Sequence, residues 1–220
     1  LRRKPWCKSH AVRIAQYVLG FFVTAAGVVF IIRSGLGAGP WDTVTYNLHA
    51  LANITLGNAS FIVNATVLAV VILGRKKLRF IFALVPIFGI SLMLDLWDIV
   101  LLGGRLMDNP LVLNAALYGG GIFVLTTGLS LIILSGYPAM VFDELMLLIM
   151  DLVKTKSVLL VRLGVELFAI ALGSVLGYAA SIGFGAVNWG SFFIAIFIAP
   201  ALAWQLKTMK GMFYVKADEM

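Results

Sequence analysis

Apolar and polar positions along this chain are segregated rather than interleaved. Charge-free stretches cover residues 14–32, 52–74, 80–94 and 110–141, then 163–188 with Glu166 as the single interruption, then 187–206. About 18 or more such residues mark a transmembrane helix, because about 20 residues at 1.5 Å each cross a ~30 Å hydrocarbon core. The 80–94 stretch reaches that length by continuing through Asp95 and Asp98 to about residue 102. The pattern predicts an all-α polytopic membrane protein of six transmembrane helices.

Two polar breaks divide the pattern further. Ser34-Gly35-Leu36-Gly37-Ala38-Gly39 stops the first span, and Pro40-Trp41-Asp42 starts a new helix. Proline suits a first turn, where no amide hydrogen is needed, and an aspartate there offsets the positive end of the helix dipole. The resulting helix, over 41–51, is about 17 Å long and too short to span. It is predicted to be re-entrant, interfacial or half of a broken helix. A second break over 135–141 precedes a second short helix over 142–153.

The two breaks correspond. A shift of 101 positions lays residues 31–42, IIRSGLGAGPWD, on residues 132–143, IILSGYPAMVFD. Over the 23 positions from Gly20 to Asp42, ten are identical, among them Gly20 with Gly121, Gly27 with Gly128, Gly35 with Gly136 and Asp42 with Asp143. Three spans per half is an odd number, so the second half enters the membrane upside down, as a 3+3 inverted repeat. The divisions predicted are a basic tail over 1–12, a first repeat over 13–105, a second over 114–206 and a tail over 207–220. Gly20 and Gly27, and Gly173 with Gly177, are read as places where helices approach closely.

Composition agrees with the bilayer: 61% of residues are hydrophobic and 12% charged, against about a quarter charged in soluble domains. The net charge of +7 would suit nucleic acid, but its distribution has a simpler cause. Basic residues cluster before the first span, at Arg75, Lys76, Lys77 and Arg79, at Lys154 and Lys156, and from Lys207 on. Six spans and two non-crossing short helices put all these groups on one side, which the positive-inside rule makes cytoplasmic. Only Arg33 and Arg105 face out. The stretch after Arg13 is too long, and lacks a small-residue cleavage pattern, for a cleavable signal peptide. A single cysteine, Cys7, excludes an intrachain disulfide.

The Gly-Leu-Gly-x-x-Pro-Trp-Asp run at residues 35–42, set after a first span that opens with a basic residue and followed by the second glycine-to-aspartate break, resembles the YczE/YitT-like bacterial integral membrane proteins. The resemblance extends over about residues 13–210. It implies a polytopic protein of the bacterial cytoplasmic membrane, in a family whose biochemical activity is largely unassigned. Val141-Phe142-Asp143 departs from the first Pro-Trp-Asp, and Gly183-Phe184-Gly185-Ala186 stands where the family pattern has Gly-x-Gly-Thr.

Ionisable groups inside a membrane are expensive and mark function by default. Asp42 and Asp143 are the leading pair. One reading makes them helix N-terminal carboxylates that satisfy free amides; the other makes them ligands for a small solute or for a coupling H+ or Na+. In the second reading Gly35, Gly37, Gly39, Pro40, Trp41 and Gly136 supply the backbone at the breaks, and Glu144 an asymmetric carboxylate. Arg162 and Glu166, four apart on one helix, are expected to form a structural pair. Asp95 and Asp98 are expected to be solvated near the outer interface, and Asn64 to hydrogen-bond between helices. No catalytic, cofactor or zinc motif is present, so no enzyme is expected. The leading function is alternating-access transport of a small solute. A non-transporting accessory protein for another membrane or biosynthetic system is the alternative.

Overall fold

The computed structural model describes residues 10–103, 110–138, 141–155 and 157–218, the last eight as helix only. Cys7, Arg105 and Ala139 lie outside these residues. The described residues form eight α-helices: α1 His10–Arg33, α2 Pro40–Ala52, α3 Leu56–Arg75, α4 Leu84–Asp95, α5 Leu111–Ser135, α6 Val141–Val153, α7 Val158–Ala179 and α8 Trp189–Asp218. A 3-10 segment, Leu78–Ala83, precedes α4, and a π-helical segment, Leu96–Leu101, follows it. Six helical stretches are long and apolar enough to cross a membrane: α1, α3, the composite Leu78–Leu101, α5, α7 and α8. The chain is a multi-pass membrane protein.

Capping residues set the ends of the short and long helices alike. Asn53, in the left-handed conformation (φ 53°), closes α2, and Thr55 opens α3 by accepting the Asn58 amide at 3.1 Å. Lys76, also left-handed, closes α3, and Ser157 opens α7. Asparagine tolerates this conformation well and hydroxyls are favoured N-caps, so each turn is written locally in the sequence.

The centre of the molecule is the antiparallel pair α1 and α5. Gly27 faces the backbone of Leu125, and Gly128 faces the backbone of Thr24, so closely that neither glycine has room for a Cβ. The same happens two turns away along each helix: a Cβ on Gly20 would lie 2.7 Å from Ile132, and one on Gly121 would lie 2.7 Å from Ile31. Glycine permits such backbone approach, which substitutes dispersion contact for the hydrophobic drive that lipid removes. These contacts are reciprocal: each involves residues whose counterparts, 101 positions away, make the matching contact.

The remaining helices follow the same reciprocity. α4 packs on α1 and α8 on α5; α2 packs on α7 and α6 on α3. At the α2–α7 contact Thr43 lies against Gly173, and Asn47 against Gly177, so this small-residue pair admits the short helix. Asn47 is fully buried and spends its whole amide there. It donates to the carbonyls of Gly173 (2.7 Å) and Phe184 (3.1 Å) and accepts the Ala186 amide (3.1 Å).

Several polar groups lie differently from expectation. Asp98 is not solvated but bound to buried Arg33, at 2.5 Å from a terminal nitrogen, because the π-helical segment turns it inward. Asp95 accepts the Thr55 hydroxyl (2.8 Å) and the Gly57 amide (2.6 Å), tying the start of α3 to α4. Asn64 bonds within its own helix, to the Ser60 carbonyl at 2.8 Å, since that acceptor is in reach and no neighbour competes. Arg75 pairs with Asp151 across the α3 and α6 ends.

Two outcomes test this packing by thermal unfolding in detergent. Gly128→Leu should be destabilised by several kcal/mol or fail to fold, since overpacking alone typically costs about 1–3 kcal/mol, whereas Gly120→Ala, with nothing within 4 Å of its Cβ, should melt with the native protein. Asn47→Ala should lose about 1–3 kcal/mol, from the Ala186 amide left without its acceptor.

Candidate functional site

The two short helices start in the interior of the helix bundle and run to opposite ends of it. α2 ends where Thr55 and Gly57 meet Asp95, on the face that also carries Arg33, Asp98 and the start of α8. α6 ends where Asp151 meets Arg75, on the face that carries the start of α1 and the end of α5. Each has 13 residues, or about 20 Å, two thirds of a ~30 Å core. Their N-termini meet inside the bundle. There Trp41 of α2 stacks on Phe142 of α6, ring centres 4.7 Å apart and planes inclined by 25°. These two residues are themselves 101 positions apart.

The chain reaches these N-termini through well-secured turns. In the first break, the Ala38 amide donates to the Ala186 carbonyl (3.0 Å) and the Gly190 amide to the Leu36 carbonyl (2.9 Å). Gly37, at φ 124°, lies so near the Ser191 amide that a Cβ would stand 2.7 Å from it. In the second break, Arg13 donates to the Ser135 carbonyl (2.9 Å) and lies over the Tyr137 ring, and the Tyr17 hydroxyl donates to the Pro138 carbonyl (2.5 Å). Ser34 and Ser135 turn their hydroxyls back on Ile31 and Ile132 in the same way, both at 2.6 Å. Non-helical backbone in a membrane must be satisfied by protein in this manner.

Beside the stacked rings lies a cavity of about 210 Å³. Gly39 is the N-cap of α2, Pro40 its first residue and Asp42 its third. The Asp42 carboxyl folds back over Gly39, where a Cβ would be 2.5 Å from Oδ2, and it makes no capping hydrogen bond. Asp143 holds the corresponding third position of α6. α7 contributes Arg162 and Glu166, while α5 and α8 supply an aliphatic wall including Leu125, Leu129, Ile194 and Ile198.

Of the expected site residues, Gly39, Pro40, Trp41, Asp42 and Asp143 line this cavity. Gly35, Gly37, Gly136 and Glu144 do not. Gly35 and Gly136 take positive φ (67° and 74°) at the ends of α1 and α5, where they turn the chain. Glu144 points 100° around α6 from Asp143.

Arg162 and Glu166 are the addition. They were expected to pair locally, yet they make no ion pair, since among the described residues only Arg33–Asp98 and Arg75–Asp151 do. Arg162 Nε is fully shielded and has no hydrogen-bond partner. Glu166 lies within electrostatic reach of Arg162, Asp143 and Asp42. The sequence signal was present: Glu166 is the one charge in an otherwise apolar span, and such a residue is a functional candidate before it is a structural one.

The site thus gathers three carboxyls and one guanidinium, with no ion pair or hydrogen bond to them among the described residues; aliphatic side chains surround them, and Asp143 is exposed at the rim. Such groups gain most from a ligand or ion of complementary charge. A larger, almost wholly apolar groove of about 600 Å³, between α3, α6 and α7, shares Trp41 and Val165 with the cavity. Those two side chains form the partition between them.

Comparison with known proteins agrees with the motif reading. The model of a family of unknown function, DUF6198, matches residues 11–207. The chain is 28% identical over 178 residues to the uncharacterized membrane protein YczE of Bacillus subtilis (strain 168), covering 80% of this chain and 79% of that one. It is 26% identical over 180 residues to the uncharacterized protein YyaS of the same organism, covering 79% and 85%. No solved structure matches.

Proposed function

The chain belongs to the DUF6198 family of unknown function, and for this member we propose secondary transport: movement of a small solute across the bacterial cytoplasmic membrane by alternating access. The observation that carries this reading is the cavity where the N-termini of two re-entrant helices meet, with Asp42 and Asp143 unpaired on its wall. Paired interrupted helices at a repeat interface are the general pointer to a transporter binding site. We take the two halves as inverted repeats, supported by the reciprocal glycine contacts of α1 and α5 and by the matched α2–α7 and α6–α3 pairs. Both termini are placed in the cytoplasm, on the face rich in Arg75, Lys76, Lys77, Arg79 and Lys154.

In this mechanism the cavity opens to one face when α2 moves with α7, and to the other when α6 moves with α3. The stacked Trp41 and Phe142 are the contact that the two movements make and break. Asp42 and Asp143 bind the solute or a coupling H+ or Na+, and loss of that charge changes which opening is favoured.

A cysteine at Met146, which lines the cavity, tests this without knowledge of the solute. In a Cys7→Ser background, Met146→Cys should react with a membrane-impermeant thiol reagent from either face of oriented vesicles. With Asp42→Asn and Asp143→Asn added, reaction should persist from one face only. Folding should be unchanged, since Asn suits a helix start nearly as well as Asp. Absence of reaction from both faces would overturn transport and favour an accessory role.

A further inference from the structure

The geometry points to a ligand class for this cavity: an organic monocation carrying a small apolar group, bound by the carboxyls in addition to Arg162, whose fixed positive charge opposes it. The inference rests on the cavity being the solute site, as proposed above. Four observations lead to it.

The first is the charge balance. Three carboxyls, Asp42, Asp143 and Glu166, face one guanidinium, so the wall retains a formal charge of −2 when all are ionised. An anionic or neutral solute would leave that excess uncompensated. The second is spacing. Among the described residues no three acidic or His/Cys side chains come close enough together to hold a metal ion, so a polyatomic cation, able to reach more than one carboxyl, suits the site better than a bare metal ion. The third is the surround. Aliphatic side chains of α5 and α8 and the stacked faces of Trp41 and Phe142 make up the rest of the wall, and aromatic faces attract alkylated ammonium groups. The volume of about 210 Å³ falls below the ~300 Å³ at which pockets for drug-sized ligands begin, which fits a metabolite-sized amine.

The fourth is Arg162 itself. It lies in electrostatic reach of Glu166 without pairing, and its Nε is buried with no partner. A structural arginine four residues from a glutamate on one helix face would close that pair. Here it stands off as a partial counter-charge to the acidic wall. An entering ammonium group adds to that counter-charge, bringing the wall to a formal −1, while the guanidinium repels it across the cavity.

The role of Arg162 separates this ligand class from its nearest competitor. A zwitterionic solute would need Arg162 for its anionic end, whereas a simple cation is repelled by it. The probes are butyltrimethylammonium, its carboxylated analogue (3-carboxypropyl)trimethylammonium and the uncharged tert-butyl compound 3,3-dimethylbutan-1-ol. Each is titrated calorimetrically into the full chain in lipid nanodiscs. The cation should bind at least about tenfold more tightly than either analogue, a difference of about 1.4 kcal/mol. Glu166→Gln should weaken it by about tenfold or more, Arg162→Gln should strengthen it several-fold, and Arg162→Lys should leave it near the native value.

Tighter binding of the carboxylated analogue, or loss of all binding in a normally melting Arg162→Gln protein, would overturn the proposal. So would failure of the native protein to bind the cation at millimolar concentration. Binding is measured without a gradient, so it fails independently of transport. A cation that binds while Met146→Cys reacts from one face only removes the transport reading and keeps this one; reaction from both faces with no cation binding does the reverse.

Discussion

Everything in this molecule is referred to one contact, the antiparallel crossing of α1 and α5 at Gly27 and Gly128. Lipid removes the hydrophobic force that would otherwise press helices together, so two spans adhere only as far as their backbones interlock. Glycines 20, 27, 121 and 128 supply that interlock along both helices at once. From it α4 is held against one side and α8 against the other, and the two turns that follow α1 and α5 are aimed back into the membrane rather than out of it. The meeting of Trp41 with Phe142 is a consequence of that aim.

The cavity is where the described residues gather charged side chains without pairing them. Elsewhere the buried polar groups are largely tied down: Asn47 uses its entire amide, Arg33 grips Asp98, and Asp95 holds the first turn of α3. Around Asp42, Asp143, Arg162 and Glu166 the same helices leave four charged side chains without a direct partner. The difference is not one of composition, because both kinds of group sit on spans of similar apolarity. It lies in where the half-helices stop, which leaves a gap that protein does not fill.

How far this was legible in the sequence depends on the range of the interaction. The six spans are readable because the bilayer demands about 20 apolar residues in a row, and the two short helices because 11 or 12 residues between polar breaks cannot cross. The pairing of Asp42 with Asp143 in one cavity follows from matched positions after matched breaks. Local reasoning fell short where a distant partner decided the outcome. Asp98 looked solvated from its depth, but its π-helical segment turned it to Arg33. Arg162 and Glu166 looked like an i,i+4 pair, but they face a cavity built by α2 and α6, whose nearest lining residue, Met146, precedes Arg162 by 16 positions. Asn47 carried no signal of its role, since its partners at Gly173, Phe184 and Ala186 lie in the other half.

That crossing of partners has a consequence for how the protein is made. α2 belongs to the first half of the chain but rests on α7, and α6 rests on α3. When the ribosome has delivered the first three spans, α2 has α3 beside it but not α7, its main support, and Asn47 still lacks every acceptor it will use. The early membrane intermediate must therefore hold a short polar-ended helix in waiting, at the interface or against the insertion machinery, until α7 arrives more than a hundred residues later. Biogenesis of this protein therefore seats α2 only once the second half has been made, and the first half of the chain is not a finished membrane domain by itself.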